Sequence, residues 1–445
     1  MTAQIFACLA AFAGLLWLLR RDRLSLGLPA AYLFSLLLIH LPGALAHSVS
    51  SSLANSYYVK VAMSFTVIAA VCFVLGVALA RRMAPNVGVY RPADRSRFWW
   101  FCLLGGWFLN YGLSPLYRIP SISAASDKAS AVWMLGVLLG LRAAMQRGNL
   151  PRVGIWFGAL MVYPVLMLLF GGFLSYGSAA AIIVCSALTI STRSYWRVAA
   201  GIVFLTFFSL SLFVVYFAHR NDIRHYVWGG APLSARIGST AAMVRDFEWL
   251  DLNNQRHLHA LDARLNQNYF AGLAAERIRL GRANYLYGGS VWEGVLALVP
   301  RLLWPDKPVF AGSPAIVSKM TGLTLSSTTS FGIGNLMEFQ INFGLPGVVI
   351  GFLLLGWLIG FLDRKAAFAE REGDFGHTIL FFLPAIALIE PNGSIIELCG
   401  GAAAALVGAF IWKTIWEFGS QRSERRRAEA HIGRESSAYR HQPAS

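Results

Sequence analysis

The residues best able to do chemistry lie between His219 and Gly344. Arg277, Arg279 and Arg282 cluster at the end of a stretch, 255 to 283, in which Leu258, Leu261, Leu265, Tyr269 and Leu273 recur at helical spacing. Farther on comes Pro300-Arg301-Leu302-Leu303-Trp304-Pro305-Asp306-Lys307-Pro308. Its prolines stiffen the backbone and would project Arg301 and Lys307 from a rigid turn. A guanidinium grips phosphate oxygens through a planar fork and keeps its charge at any working pH. These cations therefore suit a phosphate-type anion, with Arg220 and Arg224 as further partners. Glu338 and the histidines His219, His257 and His259 could take a proton from a hydroxyl. Glu338 is the carboxylate best placed as a base. Each group also admits a plainer role: a helix end lying on anionic lipid, a turn anchored by tryptophan, or an interface carboxylate paired with an arginine.

The elements that must hold these residues follow from composition. The chain has 445 residues, 56% hydrophobic and 13% charged, with a mean hydropathy of +0.54 and a formal charge of +16. Soluble domains carry roughly 25% charged residues, so a soluble globular protein is excluded. Apolar runs of spanning length fall at about 2–19, 24–46, 61–80, 98–114, 129–146, 153–173, 174–192, 198–218, 345–362, 376–390 and 395–416. The expected fold is thus an all-α polytopic membrane protein with about eleven transmembrane helices. Lys and Arg concentrate in alternate connections, which places the N-terminus outside and the C-terminus inside, without a signal peptide.

Four regions result: helices one to eight in 1–218, a large external loop in 219–344, helices nine to eleven in 345–416, and a basic cytoplasmic tail in 417–445. The loop should contain the amphipathic helix 255 to 283 and a re-entrant or interfacial helix at 291 to 303, with Glu338 at the outer membrane surface. It holds twelve cations against nine acids, a small surplus that favours a few placed arginines over a polyanion-binding face. All five cysteines lie in apolar segments, so packing rather than a disulfide must hold the loop. Zinc-type Cys/His spacing and a Gly-rich phosphate loop are both missing from the sequence. The first eight spans contain no carboxylate, which weakens an ion-coupled carrier.

The late basic loop, the Pro300 to Pro308 turn and the stretch Glu338 to Gly344 leading into a helix together resemble the Wzy-type oligosaccharide repeat-unit polymerases of O-antigen and exopolysaccharide synthesis. An Arg, ten residues, Gly spacing described in that family occurs at Arg277 to Gly288 and at Arg301 to Gly312. A His, ten residues, Gly spacing at His219 to Gly230 is similar to one in the related O-antigen ligases.

The resemblance implies an enzyme of the bacterial inner membrane that moves a glycan from undecaprenyl diphosphate onto a new lipid-linked repeat unit. It implies Arg277, Arg282 and Arg301 as first diphosphate ligands, Lys307 and Arg279 next, and Arg220 and Arg224 beside them, with Glu338 as base. It further implies no metal or other cofactor and no nucleic acid, but contact with membrane lipids, a chain-length regulator and a flippase. The alternatives are a ligase with a lipid A-core acceptor and, in another class, a polysaccharide flippase or transporter. Arg301→Ala or Arg277→Ala should leave the protein inserted but shorten glycan to single repeats. Normal chain-length ladders on a gel from both variants would remove these residues from the mechanism.

Overall fold

The structure is a computed structural model that describes residues 1–50, 52–83, 95–112, 126–192, 194–299, 304, 306–308, 312–324 and 332–440. Every regular element among them is helical. In chain order the first are α1 (Thr2–Asp22), α2 (Leu28–Leu38), α3 (Leu41–Val49), α4 (Ser56–Arg82) and α5 (Arg95–Trp107), the last continued by a π-helical turn, Phe108–Gly112. Next come α6 (Val132–Gln146), α7 (Leu150–Leu166), α8 (Ser175–Ser191), α9 (Tyr195–Trp228) and α10 (Leu233–Arg245). The late region contains α11 (Gln255–Arg264), α12 (Asn268–Arg279), α13 (Gly289–Ala297) and α14 (Ser313–Thr321), then α15 (Asn335–Glu372), α16 (Phe375–Ala387) and α17 (Ile395–Arg440).

Among the described residues, eight segments are long and apolar enough to cross a membrane: α1, α2 with α3, α4, Ser126–Gln146, Leu150–Gly171, α9, α15 and Ile395–Arg422. The other expected segments fall on the shorter helices α5, α8 and α16. Prolines mark several starts. Pro29 and Pro42 occupy the first turns of α2 and α3, where a missing N–H removes no helix hydrogen bond. The turn between α7 and α8 closes at Gly172, whose φ of +72° suits glycine.

The centre of the molecule is the pair α4 and α15. Small residues face each other along it. A Cβ on Gly76 would run into the Leu353 carbonyl, one on Gly356 into the Phe73 carbonyl, and one on Gly360 would stand 3.1 Å from Val77 Cα. Lipid is as apolar as leucine, so membrane helices associate mainly through such close backbone approach. Gly106 and Gly136 do the same between α5 and α6.

Contacts divide the connections into two sets, one at each end of the bundle. At one end Asp363 Oδ1 accepts the amides of Leu26 (2.9 Å) and Leu28 (3.2 Å), and Arg364 donates to the Arg81 carbonyl. There Glu370 also pairs with Arg142 at 2.9 Å and Arg95 at 3.6 Å. At the other end Lys128 pairs with Glu390 at 3.0 Å, the Gly334 amide reaches the Asn392 carbonyl at 3.1 Å, and Gly272 packs on the Tyr58 backbone. These are the same two groups into which the Lys and Arg alternation sorts the connections.

Three elements differ from expectation. The amphipathic stretch 255 to 283 is two helices, α11 and α12, broken at Leu265, Asn266 and Gln267. There the Gly43 amide takes the Leu265 carbonyl at 3.0 Å and the Gln267 amide takes the Ile39 carbonyl at 3.0 Å, so both leave the helical ladder for tertiary partners. Helix α9 continues past residue 218 to Trp228, carrying Arg220 and Arg224 on a rigid helix rather than a loop. Helix α15 begins ahead of the expected span and is interrupted at Gly344 (φ 65°, ψ −145°), which leaves a separate short helix at 335–343.

Gly356→Val should overpack the central helix pair and lower stability by about 1–3 kcal/mol. Thermal unfolding in detergent measures this, with Gly14→Val, whose added atoms meet open space, as the unaffected control.

Candidate functional site

Helix α11 organises the C-terminal half of α9. Asn254 caps it, its Oδ1 accepting the Arg256 amide at 3.0 Å. Its apolar side, Ala260 and Leu261, packs on Leu210 and Val214 of α9. His257 is buried and committed: Nδ1 accepts the Asp251 amide at 3.0 Å, so Nε2 donates to Glu248 at 2.9 Å. His219 Nε2 lies 3.3 Å from Asp246, and His259 is exposed.

The opposite face of α11 enters a chain of polar contacts with α3 and α4. Asp262 Oδ1 is 2.8 Å from His47 Nε2, and His47 Nδ1 is 2.8 Å from Ser56 Oγ. Asn266 Nδ2 donates to the same Asp262 oxygen at 2.6 Å. Asn268 then donates to Asn266 Oδ1 (3.2 Å) and to the His40 carbonyl (2.7 Å), while its own Oδ1 meets His40 Nδ1 at 2.8 Å. Burial alone would raise the Asp262 carboxyl, but the hydrogen bonds from His47 and Asn266 and the nearby His47 and His259 rings hold it below the usual range. Neither His40 nor His47 is among the residues singled out from sequence. Their signal was two ionisable side chains in an apolar segment, which are rare there without a partner.

A second group gathers around α9. Arg220, on α9, interacts electrostatically with Arg224 one turn on and with Arg264 at the end of α11. The Arg220 guanidinium sits 4.1 Å from the Phe217 ring centre, and that of Arg224 4.8 Å from Phe173 and 5.2 Å from Trp228. None of the three arginines forms an ion pair among the described residues, and Arg224 Nε is buried without a hydrogen-bond partner there. Three cations on one surface repel one another, and an anion between them would relieve that repulsion.

The other candidates stand apart from this group. Arg279 is held by Glu276 through two bonds of 2.7 and 2.6 Å, and this pairing keeps the Glu276 carboxyl below its ordinary range. Arg277 folds back, its Nη2 donating to the Arg282 carbonyl at 3.4 Å and its guanidinium lying against Gly322 at the end of α14. The Arg282 side chain is exposed, and Lys307 Nζ donates to the Val299 carbonyl at 2.9 Å. Arg301 lies outside the described residues. Arg264, not singled out from sequence, is the arginine that tertiary contact adds.

Glu338 corrects an expectation. It does not sit at the surface but is wholly buried, because α13 and the turn before α17 cover the short helix 335–343. Its Oε2 accepts the Ile395 amide at 2.7 Å, and its Oε1 has no partner among the described residues. Asn335 beside it accepts from Tyr32 (2.8 Å) and donates to the Gly393 carbonyl (2.9 Å), and Asn342 donates to Ser290 Oγ (2.8 Å). The one metal-type cluster among the described residues, Asp374, His377 and Glu417, has its atoms within 4.8 Å of one another. Asp374 already caps the His377 amide (3.1 Å) and holds its Nδ1 (2.8 Å), and Lys413 lies 3.5 Å from Glu417.

Compared with known proteins, the chain matches no family model, no curated protein and no solved structure.

Asp262→Ala leaves His47 and Asn266 without their shared acceptor and should loosen α11 by about 1–3 kcal/mol. Hydrogen exchange across 255–279 should rise, while exchange in the α4–α15 pair stays unchanged.

Proposed function

We propose that this protein is an inner-membrane glycosyl-transferring polymerase that joins undecaprenyl-diphosphate-linked repeat units at the outer face of the membrane. In this reading the chain crosses eleven times, and residues 219–344 form the periplasmic region. The observation that carries the reading is the group Arg220, Arg224 and Arg264, drawn from two elements, without acid partners among the described residues, at the end of a membrane-spanning helix. The stacking of Arg220 on Phe217 and of Arg224 on Phe173 and Trp228 fits headgroup depth, where aromatic rings collect.

A lipid diphosphate that departs from an anomeric carbon gathers negative charge on its phosphate oxygens. Arginines fixed in place before the reaction stabilise that charge, each by about 3 kcal/mol in the transition state. Arg277, Arg282, Arg301 and Lys307, the ligands that the family resemblance implies, remain a separate candidate set. The glycan's own leaving group thus supplies the driving force, and the cations lower the barrier.

The double variant Arg220→Ala with Arg264→Ala should keep its expression and helicity yet reduce glycan to single repeat units, as would deletion of the gene. Polymer of normal length from the double variant removes the arginine site. Long polymer accumulating on undecaprenyl diphosphate in the deletion strain would instead identify a ligase.

A further inference from the structure

Ser56, His47 and Asp262 come from three separate parts of the chain and meet in one line of hydrogen bonds. The Asp262 carboxylate can only accept, so the His47 Nε2 atom 2.8 Å away carries the proton. Nδ1 then presents its lone pair to Ser56 Oγ, also at 2.8 Å. The imidazole is buried, while Asp262 and Ser56, the latter in the first turn of α4, are both half-buried at the two ends of the line. Asn266, donating at 2.6 Å, holds the carboxylate in place. A carboxylate that orients an imidazole toward a hydroxyl is the arrangement by which proteins draw a proton off oxygen.

We propose that Ser56, His47 and Asp262 are the proton relay that deprotonates the acceptor sugar hydroxyl in the polymerisation reaction, an inference that rests on the function proposed above. The acceptor hydroxyl gives its proton to Ser56 Oγ as the proton of Ser56 passes to His47 Nδ1. The freed acceptor oxygen forms the bond to the anomeric carbon. The bond from that carbon to the diphosphate oxygen breaks, and its electron pair leaves on the lipid diphosphate. Asp262 stabilises the imidazolium, which returns its proton to Ser56, and Ser56 releases one to water. Ser56 and His47 are the catalytic residues, and Asp262 positions the imidazole.

The test uses the full-length protein in detergent, with lipid-linked repeat unit extracted from the polymerase-deletion strain for turnover and undecaprenyl diphosphate for binding. His47→Gln and Ser56→Ala should bind undecaprenyl diphosphate as the wild type does, with hydrogen exchange across 255–279 little changed, and should lose about 10²–10⁴-fold in single-turnover rate. Ser56→Thr, which keeps the hydroxyl, should recover most of the rate. Arg264→Ala should weaken lipid binding. Turnover within threefold of wild type in His47→Gln and Ser56→Ala overturns the relay while leaving the polymerase reading intact. Loss of lipid binding together with turnover, or no rescue by threonine, overturns it in favour of a structural tie between α11, α3 and α4. A wild-type protein that neither binds undecaprenyl diphosphate nor extends the repeat unit overturns the function and the relay together.

Discussion

The contact between α4 and α15 is the constraint on which the rest of the structure depends. In hydrocarbon, apolar burial does not favour helix association over contact with lipid, so two helices stay together by bringing their backbones close. Gly76, Gly356 and Gly360 permit that approach, and larger residues there would strike carbonyls or Cα atoms. Once α15 is fixed against α4, both of its ends become anchors. One end offers Asp363 to the amides that start α2 and Glu370 to Arg142. The other presents the buried polar helix 335–343 to α13 and to the turn before α17.

The region between α9 and α15 is held without disulfides, since all five cysteines are free thiols. Polar contacts replace them. Asp262 with His47, Asn268 with His40, and Glu276 with Tyr57 tie α11 and α12 to the first four helices. A buried polar network is directional, so it sets where a helix docks more sharply than apolar packing does. The groups that fasten α11 are accordingly also the groups placed to move a proton or meet an anion.

Some of this was legible in the residues. The recurrence of Leu258, Leu261 and Tyr269 announced helical structure, and the apolar runs announced the long helices. The break between α11 and α12 was not legible, because the amide that draws the Leu265 carbonyl away belongs to Gly43 and the carbonyl that draws the Gln267 amide away belongs to Ile39. Arg220 and Arg224 stood out by their place after an apolar run, whereas Arg264 gains its meaning from neighbours on another helix. Glu338 looked like a surface carboxylate because nothing local reveals that α13 and a later turn cover it.

By itself the sequence determined the class of the protein and the approximate helices. Those depend on hydropathy, on periodicity and on where charge falls, all of which are local quantities. Only the tertiary structure decided which of the loop's arginines share a surface, which carboxylate is buried and which histidine faces a serine. The physical reason is that electrostatic and hydrogen-bond partnership acts over a few ångströms of space. In this chain those ångströms join residues far apart in sequence, as Ser56 and His47 with Asp262 and Arg220 with Arg264.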